Sequence, residues 1–137
     1  MMSQENVEIV RTAYAAMSAR DFDALTKVTD SDWVFDFSRA IGPQKGVYRG
    51  HEEIAQFGAA TEEAFERFEL SPIEFLVGSA SQIVVRHHLS AKGRGSGLEL
   101  DRVPDATLLW ELRDGKVIKT TLYNSRAEAL EAAGLSQ

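Results

Sequence analysis

The sequence predicts an α+β fold. A cone-shaped, curved sheet, antiparallel or mixed, wraps around three helices towards the N-terminus, and a short fourth helix closes the chain. Two observations predict this fold. Apolar residues at helical spacing occur in the first half of the chain, whereas strand-like segments separated by turn signals dominate the second half. Helices followed by a long run of strands are typical of the α+β class. The length predicts one domain over residues 1–137.

The first two helices are predicted from apolar side chains that recur three or four positions apart. In the first helix these are Val7, Val10, Tyr14 and Met17. In the second they are Phe22, Leu25 and Val28. Ser3 and Asp21 are the predicted N-caps, because their side-chain oxygens can accept a hydrogen bond from the free amides of a first helical turn.

A strand, a loop and a third helix are predicted next. The segment DWVFDFS, residues 32–38, predicts the strand, and residues 38–50, with three glycines and a proline, predict the loop. The helix is predicted to begin at about His51, with Glu52 and Glu53 suited to the positive end of its dipole. Its predicted inward face consists of Ile54, Phe57, Thr61, Phe65 and Phe68.

The remaining strands are predicted from apolar runs bounded by turn residues. They are PIEFLVG, QIVVRHHLSAKG, GLELDRV, ATLLWELR and KVIKTTLY. A proline at position 104 separates the third run from the fourth, and the sequence RDGK predicts a tight hairpin between the last two. Ser125 and Glu128 fit a capping box for the final helix, which Gly134 follows.

Composition excludes several classes of function. The formal net charge of −6 argues against a nucleic-acid partner, which requires a basic surface. No apolar run approaches the ~20 residues that span a bilayer, so no membrane partner is expected. The N-terminal MMSQENVEIV has no export signal, and the chain has no cysteine, so a cytoplasmic location is expected.

Four segments carry a resemblance to a known family. They are YAAMSARDFDAL, GVYRGHEEI, GRGSGLEL and LRDGKVIKTTLYNSRAEALEAAGL. In this order they resemble the SnoaL-like proteins of the nuclear transport factor 2-like superfamily. The resemblance implies a cone of curved sheet over three helices, often a homodimer. Its members include polyketide cyclases, ketosteroid isomerases, epoxide hydrolases, dehydratases and proteins without catalysis, so the fold alone does not imply an activity.

The catalytic positions of the ketosteroid isomerases are not matched as written. When the ARD motif is aligned, the family's tyrosine falls at Ala13, one residue before Tyr14. Its aspartate base falls at Phe37, one residue after Asp36. Its second acid falls at Leu108, an apolar residue. The resemblance therefore does not imply the isomerase triad.

Alternation along the first strand bears on which face of the sheet Asp36 takes. Trp33, Phe35 and Phe37 share one face, and Val34, Asp36 and Ser38 share the other. If the aromatic rings face inwards, Asp36 faces the outer surface or a dimer contact. A β-bulge would instead turn it inwards, where it could act as a general base.

The same rule separates the adjacent histidines. His87 shares a face with Ile83, Val85 and Leu89, so it is predicted to point inwards, whereas His88 points to water. An inward histidine is either a satisfied core residue or a proton-transfer group. Adjacent histidines on a strand cannot chelate one ion from one side, and no other ligand cluster is present, so no metal is expected.

Two hypotheses for function follow. The first is a lyase, isomerase or cyclase that works without a cofactor, by proton transfer on an apolar carbonyl compound. His87 or Asp36 would be its base, and Tyr14 would donate a hydrogen bond to the developing oxyanion. The second is a non-catalytic ligand-binding or dimeric scaffold domain. In both, a small apolar molecule is the expected partner, and the predicted binding residues are Trp33, Phe35, Phe37, Tyr48, Phe57, Leu108, Trp110, Thr120, Leu122 and Asn124.

Overall fold

A computed structural model describes residues 2–40, 45–79, 81–95, 97 and 99–135. In these residues four helices accompany a six-stranded mixed sheet. The predicted α+β fold is therefore confirmed. The helices are α1 (Met2–Ala19), α2 (Phe22–Val28), α3 (Gly50–Ala64) and α4 (Arg126–Ala132). The strands are β1 (Thr29–Phe37), β2 (Gly46–Arg49), β3 (Phe65–Ser79), β4 (Gln82–Gly93), β5 (Glu99–Arg113) and β6 (Lys116–Tyr123).

The strands are arranged in the order β2-β1-β6-β5-β4-β3, so that β2 and β3 form the two edges of an open sheet. Strands β3 to β6 form an antiparallel meander, and β1 pairs with β6 in parallel. The hairpin between β5 and β6 turns at Asp114 and Gly115, which both have positive φ, as the tight DG turn requires.

The ends of α1 and α2 follow from local chemistry. At the end of α1 the amide of Asp21 donates to the carbonyl of Ala16, and the amide of Arg20 donates to that of Met17. This is a Schellman motif with Arg20 in the left-handed region, at a φ of 58°. The predicted cap Asp21 accepts a hydrogen bond from the amide of Ala24. The predicted cap Ser3 lies inside α1, which already begins at Met2.

Three predicted boundaries are wrong. The helix α3 ends at Ala64, and Phe65 and Phe68 belong to β3, because the chain pairs with β4 from Phe65 onwards. The loop after β1 contains β2, which pairs with β1. The strand β5 continues through Pro104, which lies beyond the last residue that β6 pairs, Thr107. A proline there removes no hydrogen bond to β6.

The sheet has a core on each face. On the inner face, side chains of α1, α2 and α3 pack against the strands around the buried rings of Trp33 and Trp110. On the outer face, Ala129 and Leu130 of α4 cover Val84 and Leu109. The helices of the N-terminal half and α4 therefore lie on opposite sides of the sheet.

Candidate functional site

A cavity of about 370 Å³ lies on the inner face, between the C-terminal end of α1, the helices α2 and α3, and the strands β1 and β3. Its volume falls within the range of small-molecule pockets. Most of its wall is aliphatic or aromatic. The lining residues of this kind are Ala16, Met17, Phe22, Leu25, Trp33, Phe35, Phe37, Ile54, Ala55, Phe57, Ala59, Phe68 and Leu70.

The aromatic part of the wall is produced by alternation along β1. Trp33, Phe35 and Phe37 point from β1 to the inner face, where Phe57 of α3 meets two of them. The ring of Phe57 packs edge-on against Phe35 at 5.4 Å and against Phe37 at 5.3 Å between centroids. Edge-on contact is a favourable geometry for aromatic pairs, so the rings form a packed apolar part of the wall.

The polar lining residues come from two chain segments, the end of α1 with the turn that follows it, and the last turn of α3. They are Ser18, Arg20, Asp21, Thr61 and Glu62. Arg20, Ala59 and Glu62 also line an adjoining polar cleft, to which Arg94 contributes. The cavity is therefore apolar within and polar where it opens towards this cleft.

Two of the polar side chains already have hydrogen-bond partners in the protein. The carboxylate of Asp21 caps α2, and the hydroxyl of Thr61 donates to the carbonyl of Phe57 at 2.9 Å. The guanidinium of Arg94 donates to the carbonyl of Glu62 at 2.9 Å. These bonds hold the end of α3 in place beside the opening.

Tyr14, His87 and Trp110 form a buried polar cluster outside the cavity wall. The indole of Trp110 donates to the hydroxyl oxygen of Tyr14 at 3.3 Å, and this hydroxyl lies 3.4 Å from Nδ1 of His87. Because an indole N–H only donates, the Tyr14 hydroxyl is free to donate to Nδ1 of a neutral His87. Each of the three groups therefore has a partner inside the core.

Burial sets the protonation of this cluster. Desolvation, with a smaller contribution from the charge of His88, lowers the pKa of His87 from 6.5 to about 4. Desolvation also raises the pKa of Tyr14, against the opposing effect of the hydrogen bond from Trp110. At neutral pH both side chains are uncharged.

Asp36 lies on the outer face of the sheet, apart from the cluster and the cavity. Its carboxylate accepts hydrogen bonds from the amide and the hydroxyl of Ser38, at 3.0 and 2.6 Å. Partial burial acts to raise its pKa, but these bonds and the cations of Arg39 and Lys119 together lower it. The irregularity in the pairing of β1 precedes Val34, so no bulge turns Asp36 inwards.

The cavity brings together four of the predicted binding residues, Trp33, Phe35, Phe37 and Phe57. The others lie outside its wall. Tyr48 packs behind Phe57, at 4.8 Å between ring centroids. Thr120 accepts a hydrogen bond from the indole of Trp33 at 2.9 Å. Leu108, Trp110 and Leu122 are core residues of the inner face, and Asn124 is exposed after β6.

Sequence reasoning identified Phe57 of α3 but missed the contribution of the end of α1 and of the small residues of α3 to this wall. The end of α1 supplies Ala16 and Met17, and α3 supplies Ala55, Gly58 and Ala59. One signal was available: a glycine in the middle of an otherwise regular helix usually has a packing or functional reason.

Neither a metal centre nor a membrane span is found in the described part of the chain. No three histidine or carboxylate side chains there are grouped closely enough to hold a metal ion. None of the helices found there is both long and apolar enough to cross a membrane.

The model of one protein family, the SnoaL-like domain, matches residues 10–120. The chain belongs to the SnoaL-like domain family. The match covers α1 from residue 10 onwards, all of α2, β1, β2 and α3, and the meander as far as residue 120 in β6. A search of curated proteins finds no match to the chain.

Solved structures confirm the fold of this SnoaL-like domain. A SnoaL-like protein from Jannaschia sp. CCS1 is 24% identical, with 95% of this chain and 91% of that chain covered and a TM-score of 0.74. A protein with a ketosteroid isomerase-like fold from Catenulispora acidiphila, in complex with trimethylamine, is 21% identical, with 94% of each chain covered and a TM-score of 0.73. TerC, co-crystallised with polyporic acid, is 21% identical, with 95% of this chain and 98% of that chain covered and a TM-score of 0.71.

Proposed function

We propose that this SnoaL-like domain binds a small, largely apolar molecule in the cavity between α1, α2, α3 and the inner face of the sheet. The observation that carries the proposal is the distribution of the lining. Aromatic and aliphatic side chains form the wall, and the polar side chains come only from the ends of α1 and α3 beside the opening. A pocket with this distribution favours a ligand with an apolar body and a polar end.

Membership of the family and the fold supports binding of a small molecule. Two proteins of the same fold were crystallised with small molecules, TerC with polyporic acid and the Catenulispora protein with trimethylamine. The likeness to them supports the class of ligand and not its identity, because fold and ligand vary independently.

Catalysis by proton transfer is supported less well than binding. In favour of catalysis, Tyr14 and His87 are both buried, and they are the only buried titratable side chains among those that the structure describes. However, they contact each other and Trp110 and do not line the cavity, and Asp36 lies on the opposite face of the sheet. Their roles as donor and bases stay predictions, as do the homodimer and the cytoplasmic location.

The test is calorimetric titration with 2-naphthol, an apolar two-ring phenol, together with native mass spectrometry for a co-purified ligand. We expect saturable binding to the wild-type protein. Ala55→Leu fills part of the cavity and should weaken binding at least about tenfold. Ala60→Leu is the matched control, because Ala60 lies on the same helix but does not line the cavity.

Two results would contradict the proposal. One is the absence of saturable binding to the wild-type protein together with the absence of any co-purified ligand. The other is equal affinity for the wild type and both variants, which would place the bound naphthol outside the cavity.

A further inference from the structure

Gly58 lies in the middle of α3, where neither the backbone nor the packing requires a glycine. Its φ is not in the left-handed region that favours glycine, and α3 is regular from Gly50 to Ala64. In the interior of a helix glycine is less favourable than alanine, because it loses more conformational freedom on folding. Gly58 therefore destabilises α3 without a local reason.

Close packing does not explain this glycine either. A Cβ atom added at Gly58 meets no protein atom within 4 Å. Gly78 provides the contrast, since a Cβ there would meet the Cβ atoms of Ala133 and Gln82 at 3.4 Å. The space beside Gly58 is empty of protein, and Gly58 itself lines the cavity.

The neighbours of Gly58 extend this open space along α3. Ala55 and Ala59, three residues before it and one after, also line the cavity and carry only methyl side chains. The polar residues Arg20 and Glu62 follow at the opening. Gly58 is exposed and lies between Phe57 and Glu62 among the cavity-lining residues of α3.

We propose that Gly58 is a specificity-determining residue that sets the largest ligand the cavity accepts. The apolar body of that ligand packs against Phe35, Phe37 and Phe57, and its polar end lies at the opening. The part between them lies against the backbone of α3 at Gly58, in the volume that a side chain would occupy. This inference rests on the proposed function, and it adds a limit on the length of the ligand.

The experiment compares two phenols that differ by one fused ring and carry the hydroxyl on a terminal ring, 2-naphthol and 2-phenanthrol, by calorimetric titration. Gly58→Phe fills the space beside α3, and Ala60→Phe adds the same side chain to the same helix away from the cavity. We expect Gly58→Phe to weaken 2-phenanthrol binding at least about tenfold and 2-naphthol binding less than about threefold. Ala60→Phe should leave both affinities unchanged.

The possible results separate this inference from the proposed function. If the wild type binds both phenols and Gly58→Phe changes neither affinity, or lowers both equally, Gly58 does not set ligand size although the cavity binds ligands. If the wild type binds neither phenol, this inference fails, and the proposed function fails with it when no ligand co-purifies. Gly58→Leu provides a smaller addition if the phenylalanine variant does not fold, and it should show the same selectivity to a lesser degree.

Discussion

Tyr14 and His87 show how single polar side chains are accommodated in the inner core. Both are almost fully buried, at 2% exposure each, and Trp110 completes their hydrogen bonding. A buried polar group without a partner would cost about 1–3 kcal/mol, so the cluster avoids that cost only while His87 is neutral. The charged form of His87 would be a cation in an apolar core.

Stability should therefore depend on pH through His87. Its pKa is about 4 in the folded protein and 6.5 in the unfolded chain, so the unfolded chain binds more protons between these values. The contribution of neutral His87 to stability is fully present above about pH 6.5 and is lost as the pH falls towards 4. Between pH 7.5 and pH 5 the loss is about 2 kcal/mol.

Urea unfolding of the wild type and of His87→Gln at the two pH values measures this loss. Between pH 7.5 and pH 5, the free energy of unfolding of the variant should fall by about 2 kcal/mol less than that of the wild type, because the glutamine side chain does not titrate. His88→Gln, on the other face of β4, is the control and should keep most of the wild-type pH dependence, because desolvation is the larger cause of the lowered pKa of His87. An equal pH dependence in the wild type and His87→Gln would mean that His87 titrates normally in the folded protein.

At the scale of elements, the clearest departure from the predictions is in β3. The spacing of Phe65 and Phe68 fits a helical face, yet both residues lie in β3, because pairing with β4 along the whole strand outweighs a local pattern. The strand β3 also contains Pro72, which it tolerates as an edge strand. Pairing with β4 therefore decided where α3 ends and β3 begins.

Replacement of glycine by alanine should have opposite effects on stability at Gly58 and at Gly115. Gly58→Ala should stabilise the protein by about 1 kcal/mol, since the backbone of α3 is helical and the added methyl group meets nothing. Gly115→Ala should destabilise it by about 1 kcal/mol, because Gly115 has a φ of +76° in the turn between β5 and β6. Thermal and urea unfolding of both variants measure the two signs, and a loss of stability in Gly58→Ala would show that α3 is packed more closely there.

At the scale of the whole molecule, the sheet has two packed faces, one that holds the cavity and one that is covered by α4. The inner face holds the larger core and the cavity. The outer face is stabilised by α4, which begins at the Ser125 cap and is anchored by Arg126, whose guanidinium donates to Glu74 at 2.9 Å. Stability and ligand binding should therefore be separable by mutation.

Leu130→Ala tests this separation. Leu130 is 2% exposed and packs against Val84 and Leu109, so its truncation should lower the free energy of unfolding by about 2–4 kcal/mol. The affinity for 2-naphthol, measured where the variant is fully folded, should stay within about twofold of the wild type. A large loss of affinity in the folded variant would show that α4 and the cavity are coupled through the sheet.

Local patterns in the sequence determined the class of fold, the Asp21 and Ser125 caps, and the inward face taken by His87, whereas the face of Asp36 depended on whether a bulge interrupts β1. Alternation and capping depend on neighbours within a few residues, so they can be read without a structure. The position of the cavity was decided only by tertiary packing. Tyr14 of α1 packs against Trp110 at 5.3 Å between ring centroids and fills the inner face there. The cavity lies at the end of α1, where α3 packs against β1 through Phe57, and no local pattern encodes that meeting.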